Sequence, residues 1–266
     1  MAGLTSFLRS LRQVSQKTFT CPKPTSIPAS SFQSSITRQL HHDDNTGSKM
    51  PDNKFYELRT YKVKPSSFLA FMKLTNENMA PRLAHNKLIG YWATDIGGLN
   101  EVFHIWEYDC FAHRTAVRAA LAKDEVWHSS YFSKAVQMID AQENASGRLL
   151  PWKPLQDQPL KEGGMYELRS YVMKPGGLDP LKKRIMLRDE FYSSQGCGKL
   201  MGVWMGDLGH ANMFYALWNY VSGDKRLETR AAFMESDACK SLSPNDFPMT
   251  EFRSKIMTPN PFSPLQ

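Results

Sequence analysis

The sequence contains the segment YELRTY at residues 56–61 and repeats it as YELRSY at residues 166–171. Three further pairs of segments repeat in the same order and with similar spacing: KP at 64–65 and 174–175, LIGYW at 88–92 and LMGVW at 200–204, and WEY at 106–108 and WNY at 218–220. The interval of about 110 residues exceeds the 20–50 residue period of solenoid repeats and matches the size of an ordinary small domain. The chain therefore contains a duplicated domain.

Each copy predicts the same succession of elements. In the first copy, residues 55–61 alternate with the period of a strand, and the pattern changes to that of an amphipathic helix after Ser67, with an interruption near Pro81. The remaining elements predicted for this copy are strands 88–95 and 102–108, helices 113–123 and 125–143, and a short final strand at 149–152. Those predicted for the second copy are strands 165–173, 200–207 and 212–220, and helices 178–193, 224–236 and 246–257.

This succession, βαββα with a closing strand, is a ferredoxin-like α+β plan. A sheet with helices on one face leaves its other face uncovered, so two such sheets bury those faces against each other. We therefore expect tandem ferredoxin-like domains that form a pseudo-twofold barrel with the helices outside. The predicted organisation is a leader at 1–45, a first domain at 54–152, a linker at 153–163 and a second domain at 164–264.

The charge is concentrated at the N-terminus. The formal net charge of the 266 residues is +7, yet residues 1–42 hold five basic residues and no acidic one, which leaves 28 basic and 26 acidic residues elsewhere. A nearly neutral body argues against a nucleic-acid-binding protein. The leader combines an apolar stripe, Leu4 to Leu11, with arginines and many hydroxyl residues, which is typical of a mitochondrial transit peptide. We expect a mitochondrial protein of the matrix, with a cytosolic location as the alternative, and no transmembrane segment.

Two charged pairs lie on one face of the repeated strand, Glu57 with Arg59 and Glu167 with Arg169. Because side chains two residues apart point to the same side, each pair is a candidate lining of the barrel interior and a candidate ligand site. The alternative is a structural ion-pair network, which is the more common role of such pairs.

His104 lies on the same strand face as Trp106. It is a candidate acid, base or haem ligand in a barrel pocket, and the alternative is a hydrogen-bonded core residue. Its counterpart in the second copy is Ala216, so the two copies differ at this position. The four cysteines show no CxxC spacing, so the sequence predicts no metal site. It identifies no catalytic residue and no cofactor.

The repeated blocks, together with the strand VFHIWEY at 102–108 and the following FAHR at 111–114, resemble the NIPSNAP family, and most of all its third-type members. The resemblance implies a tandem dimeric α/β barrel and an association with mitochondria. It also implies a role in mitochondrial quality control or mitophagy, through autophagy adaptors and their ubiquitin-like partners. The family has no established catalytic residues to transfer to this chain.

Two functions of different classes follow. The first is a non-enzymatic scaffold that binds other proteins and that could form homo-oligomers. The second is an enzyme or a small-ligand binder that holds haem or a hydrophobic metabolite in the barrel interior. The segments WKPL at 152–155 and FSPL at 262–265 share an aromatic-x-x-aliphatic form that suits addition to a partner's sheet edge, although their prolines remove hydrogen-bond donors.

Overall fold

Eight antiparallel strands form a closed barrel in the computed structural model, which describes residues 54–243 and 249–266. The strands are β1 (Phe55–Val63), β2 (Lys87–Ile96), β3 (Glu101–Tyr108), β4 (Ile139–Leu149), β5 (Met165–Met173), β6 (Gly198–Leu208), β7 (Met213–Tyr220) and β8 (Met249–Pro259). Their order around the barrel is β1-β3-β2-β8-β5-β7-β6-β4. The predicted α+β, pseudo-twofold barrel is therefore confirmed.

The helices lie outside the barrel, where their apolar side chains pack on the outer face of the sheet. They are α1 (Phe68–Asn78), α2 (Ala80–His85), α3 (Phe111–Ala122), α4 (Glu125–Trp127), α5 (Ser133–Met138), α6 (Leu178–Ser194), α7 (Gly223–Glu235) and α8 (Asp237–Lys240), with a 3₁₀ turn at Pro65–Ser67. A π-helical turn, His128–Phe132, joins α4 to α5. No helix within the described residues is long and apolar enough to cross a bilayer.

The two repeats close the barrel by pairing the edge strands of their two four-stranded sheets. β4 pairs with β1 of its own repeat and with β6 of the other repeat, and β8 pairs in the same way with β5 and β2. Each repeat therefore has two edge strands, β2 and β4 in the first repeat and β6 and β8 in the second, and both edges pair with the other repeat. The predicted boundaries at residues 152 and 164 stay predictions.

Strands β4 and β8 both include residues for which a helix was predicted, and that prediction is wrong there. The helix predicted at 125–143 ends at Met138, and β4 begins at Ile139 instead of near Leu149. Residues 249–257 of the helix predicted at 246–257 belong to β8, and residues 246–248 lie outside the described residues. In both cases the strand is stabilised by backbone hydrogen bonds to two neighbouring strands. These partners are distant in sequence, so local sequence patterns do not predict the strand.

The barrel interior is a packed apolar core. Leu149 of β4 packs against this core, which is formed by one face of each of the other seven strands and by the C-terminal tail: Tyr56, Leu58, Ile89, Trp92, Phe103, Ile105, Tyr166, Leu168, Met201, Trp204, Tyr215, Leu217, Met257 and Leu265. The repeated Gly-x-Trp pattern has a direct cause here, because the Trp92 ring lies where a Cβ of Gly90 would be. Trp204 lies over Gly202 in the same way.

The WKPL and FSPL segments are symmetry-related parts of the fold. Leu155 packs against the barrel core and Leu265 belongs to it, being 2% exposed. Trp152 and Phe262 pack against the sheet-helix cores of the second and first repeat respectively. Both segments are therefore packed parts of the folded domain, and in this conformation neither is an extended strand free to join a partner's sheet.

Candidate functional site

The predicted site residues lie on the outer face of the barrel, beneath the helices. On β1, Tyr56 and Leu58 point into the barrel, so the alternate residues Glu57 and Arg59 point outward. The same alternation on β3 sends Phe103 inward and leaves the outer face to the buried side chains of His104 and Trp106. The prediction that these residues, together with Glu167 and Arg169, line the barrel interior is wrong.

Glu57 and Glu167 are the acceptors of equivalent ion-pair networks. Arg114 donates to Glu57 Oε1 over 2.7 Å, and Arg226, which is its counterpart in the second repeat, donates to Glu167 Oε1 over 2.5 Å. Burial raises the pKa of Glu57, but the Arg114 hydrogen bond and the charge of Arg59 outweigh it, and the pKa is lowered. The recurrence of the pair in both repeats indicates a structural role for the two carboxylates.

A cavity of about 360 Å³ separates the outer face of the sheet from the helices in the first repeat. The side chains that line its floor are Arg59, Tyr61, Tyr91, His104 and Trp106, and its walls and mouth are formed by Met79, Arg82, Arg118, Leu121, Ala122, Trp127, His128, Tyr131, Phe132, Ala135, Val136, Ile139 and Gln142. Arg59 and His104 are cross-strand partners, so the register of β1 and β3 brings them together. Three of the six predicted site residues, Arg59, His104 and Trp106, thus share one cavity.

His104 is a neutral hydrogen-bond donor in this cavity. Its Nδ1 accepts a 2.6 Å hydrogen bond from the Trp106 indole N–H, and because an indole nitrogen only donates, the imidazole proton resides on Nε2. Burial, reinforced by the charges of Arg59 and Arg82, holds the pKa of His104 well below its ordinary value. The Nε2–H is buried without an acceptor among the described residues.

Arg82 brings a buried positive charge to the same cavity. Its guanidinium lies 3.7 Å from the centre of the Trp106 ring and donates to the Tyr108 hydroxyl over 3.3 Å. In the described part of the chain, no carboxylate forms an ion pair with it, and its Nη1 has no acceptor. Burial lowers the pKa of Arg82, yet a guanidinium stays protonated in proteins. The result is an uncompensated cation at the edge of an aromatic cavity.

Arg59 adds a second charge beside it. Arg59 lies 4.0 Å from Glu57, donates to Gln142 over 3.4 Å, and has a buried Nε without an acceptor among the described residues. The acid nearest to Arg59, Glu57, is already held by Arg114 and by Asn144, which donates over 2.7 Å. The cavity therefore has a positively charged end, at which Arg59 and Arg82 each have a buried N–H group without an acceptor among the described residues.

The opposite wall is apolar and aromatic. Trp127 and Tyr131 contact each other with ring centroids 4.6 Å apart, and both extend from the segment that includes the π-helical turn. Phe132 and Val136 are each 44% exposed and line the opening to solvent. Single π-helical turns are often found at functional sites, because they reorient side chains within an otherwise regular helix.

The residues present do not suit haem or a metal. A histidine that binds iron through Nε2 must leave that nitrogen deprotonated, whereas Nε2 of His104 carries the proton. Within the described residues, no three His, Cys, Asp or Glu side chains are grouped as metal ligands. The cavity chemistry is that of hydrogen-bond donation and charge.

Sequence reasoning missed Arg82 and the aromatic wall. A signal for Arg82 was present, because it continues the buried stripe of Phe71, Thr75 and Met79 at helical spacing. A charged residue on an apolar stripe is an anomaly that marks either a buried ion pair or a site. The aromatic wall, Trp127 and Tyr131, is positioned by the π-helical turn, and no local sequence pattern predicts such a turn.

Comparisons with known proteins agree with the two repeats. The NIPSNAP family model matches residues 56–154 and 166–264. Protein NipSnap homolog 3A of Homo sapiens is 37% identical over 83% of this chain and 90% of its own length, and Protein NipSnap homolog 3B of Mus musculus is 36% identical over 87% and 94%.

Among solved structures, a putative monooxygenase from Fusobacterium nucleatum superimposes with a TM-score of 0.56, covering 79% of this chain and 94% of its own, at 11% identity. At this identity the likeness concerns the fold alone. The two matched repeats and the close relatives establish the identity of the chain, which belongs to the NIPSNAP family.

Proposed function

We propose that this protein binds a small molecule with an anionic group and a flat hydrophobic body in the cavity of the first repeat. The observation that carries the proposal is the convergence of three buried donors without acceptors, Arg59 Nε, Arg82 Nη1 and His104 Nε2, on side chains that line one cavity. A buried donor without an acceptor costs about 1–3 kcal/mol, and more when it is charged. A bound anion removes that cost.

The volume of the cavity and its aromatic wall indicate the size and shape of the hydrophobic part of the ligand. A volume of about 360 Å³ lies at the small end of the range for small-molecule sites, which is about 300–1,000 Å³. Trp127 and Tyr131 offer ring faces and edges on which a planar body stacks. The ligand class is therefore an aromatic or short acyl carboxylate, or a similar organic anion.

A matched pair of probes tests this proposal. We expect 1-naphthoate to bind the purified protein at least about tenfold more tightly than 1-naphthamide, because only the carboxylate forms charge-assisted hydrogen bonds with Arg82 and Arg59. The replacement Arg82→Met keeps an unbranched side chain at this position and removes the charge. We expect it to weaken naphthoate binding about tenfold or more and to change naphthamide binding less than about threefold. Calorimetric titration measures both.

The control is Arg148→Met, which removes an exposed arginine of the same repeat outside the cavity. This variant should bind both probes like the parent protein. Equal affinity of the parent protein for the two probes, or equal weakening of naphthoate binding in the two variants, would contradict an anion site at Arg82.

We propose, as a second candidate function, a mitochondrial interaction protein linked to quality control or mitophagy. Its support is the family membership, the acid-free leader and the solidly packed barrel, which is the interior expected of a scaffold. Partners such as autophagy adaptors, a matrix location and a homo-oligomeric state remain parts of this proposal. The predicted leader lies outside the described residues.

Import is open to a direct test. The double replacement Arg9→Glu and Arg12→Glu reverses the charge of the amphipathic stretch, and we expect it to shift most of the full-length protein from mitochondria to the cytosol. The measurement is cell fractionation with protease protection. Lys23→Glu, which alters one charge beyond that stretch, is the control and should leave the protein mitochondrial. A mitochondrial location for both variants would argue against a leader at these residues.

A further inference from the structure

The second repeat has its own cavity at the equivalent place, and its chemistry is different. This cavity measures about 80 Å³ and is lined by Arg169, Tyr171, Arg184, Arg188, Arg226, Arg230, Met249, Phe252 and Ser254. It lies between β5, β8, α6 and α7, on the outer face of the sheet. Five of its nine lining residues are arginines, whereas the first cavity is mainly aromatic and apolar.

Glu167, the carboxylate next to this cavity, is already paired with two of the arginines. Glu167 accepts hydrogen bonds from Arg169 Nη2 at 2.7 Å, from Arg226 at 2.5 and 3.0 Å, and from Ser254. Burial raises the pKa of Glu167, but the Arg226 hydrogen bond and the charge of Arg169 outweigh it and lower the pKa to about 2. One carboxylate thus pairs with two of the arginines, Arg169 and Arg226, and forms no ion pair with the other three within the described residues.

Arg188 is the least compensated of these arginines. It is 7% exposed and lies over the Phe233 ring at 5.1 Å, and no carboxylate in residues 54–243 or 249–266 forms an ion pair with it. Its Nε is buried without an acceptor, as is Nε of Arg169, which is 2% exposed. Two charged side chains, both more than nine-tenths buried, therefore present unused donors beside one small cavity. Burial of an unpaired charge is costly, so an anion bound beside Arg188 would stabilise the fold.

The size of the cavity selects the anion. The cavity measures about 80 Å³, against about 360 Å³ in the first repeat, so it suits a compact anionic group and leaves little room inside for a ring system. Guanidinium groups pair with phosphate oxygens through paired, charge-assisted hydrogen bonds. Arg230 is exposed and lines the cavity, so the site is reached from solvent.

We propose that the second repeat binds a phosphate group, either as inorganic phosphate or as the phosphate of a small monoester, between Arg169, Arg188 and Arg230. This site is separate from the organic-anion cavity of the first repeat and does not depend on it. The duplication has thus produced two anion sites of different size, one suited to an organic anion and one to a compact tetrahedral ion.

The test uses the purified full-length chain in a phosphate-free buffer of low ionic strength. Calorimetric titration with inorganic phosphate should give saturable one-to-one binding with a Kd at or below about 1 mM. The replacement Arg188→Met should weaken binding about tenfold or more, because it removes one charged donor. Arg230→Gln alters an exposed side chain, so it keeps the fold and should weaken binding about threefold or more.

Arg253→Gln is the matched control. Arg253 is 72% exposed on β8, pairs with Glu251 and does not line the cavity, so its replacement should change the Kd less than about twofold. A parallel titration with phenyl phosphate identifies the source: tighter binding than inorganic phosphate indicates a phosphate monoester, and weaker binding indicates the free ion. Absence of saturable binding of both compounds up to about 20 mM, or equal weakening by Arg230→Gln and Arg253→Gln, would overturn the proposal.

Discussion

Replacing Glu167 by Ala is expected to lower the free energy of unfolding by about 3–5 kcal/mol at pH 7, since it removes one partner of a buried ion pair. The Glu167 side chain is fully buried, and its two arginine partners, Arg169 and Arg226, are 2% and 12% exposed. Without the carboxylate, both guanidinium groups remain in a poorly solvated place beside three further arginines. The measurement is urea denaturation of the purified parent and variant proteins.

The pH dependence of this effect has a defined sign. The pKa of Glu167 is lowered from 4.5 to about 2 in the folded state, so ionisation of this group stabilises the fold at any pH above about 4.5. That contribution decreases as the pH falls from about 4.5 towards 2, because the unfolded chain then takes up a proton that the folded chain does not. The difference in stability between the parent protein and Glu167→Gln should therefore be smaller at pH 3 than at pH 7.

The control for this prediction is Glu143→Ala. Glu143 pairs with Lys62 on the surface, and both side chains are well exposed, at 65% and 47%. Exposed pairs contribute less than about 1 kcal/mol, so this variant should be close to the parent protein in stability. If Glu167→Ala is no more destabilising than Glu143→Ala, the carboxylate does not hold the arginine cluster together.

The fold class was predictable because duplication and strand alternation both survive in the sequence. The edge strands β4 and β8 were harder to predict. β4 has exposed polar side chains on both faces for most of its length, so it carries no apolar alternation, and only the free edges of β1 and β6 explain it. β8 did carry a signal, since Glu251, Arg253 and Lys255 alternate with less polar residues at the period of a strand.

The candidate site was predicted as a set of neighbours but assigned to the wrong side of the sheet. Glu57, Arg59, His104 and Trp106 do share a face and are paired across β1 and β3. Every residue of β3 is buried, because the barrel core covers one face of the strand and the helices cover the other. Alternation identifies which residues lie together, but when both faces are buried it does not tell which face is inside.

The same scaffold holds two different cavities because the repeats diverged in the helical layer and at a few positions of the sheet. His104 is replaced by Ala216, and the first repeat adds the segment α4–π–α5, which supplies Trp127 and Tyr131. The second repeat has the short helix α8 in the corresponding part of the chain, and arginines of α6 and α7 fill more of the space. The shared Glu-Arg pair keeps the common architecture, while the residues around it determine the ligand chemistry.

Replacing Leu265 by Ala is expected to lower the free energy of unfolding by about 2–5 kcal/mol, as for other fully buried leucines. Leu265 is 2% exposed in the barrel core, although it is the penultimate residue of the chain. The tail around it is held by hydrogen bonds, with the Ser263 hydroxyl accepting from the Tyr91 N–H over 3.0 Å and the Gln266 carbonyl accepting from the Tyr166 hydroxyl over 3.1 Å.

This prediction decides whether the FSPL segment acts as a linear interaction motif. If detachment of the tail costs about 3 kcal/mol, the apparent affinity for any partner that needs it extended falls by a factor of about 100. The control is Leu227→Ala on α7, a leucine that is 58% exposed and should change stability by less than about 0.5 kcal/mol. Leu265→Ala should also accelerate proteolysis of the C-terminal tail. Equal stability of the two variants would mean that the tail is free in solution. The FSPL segment would then be available to bind a partner as a linear motif.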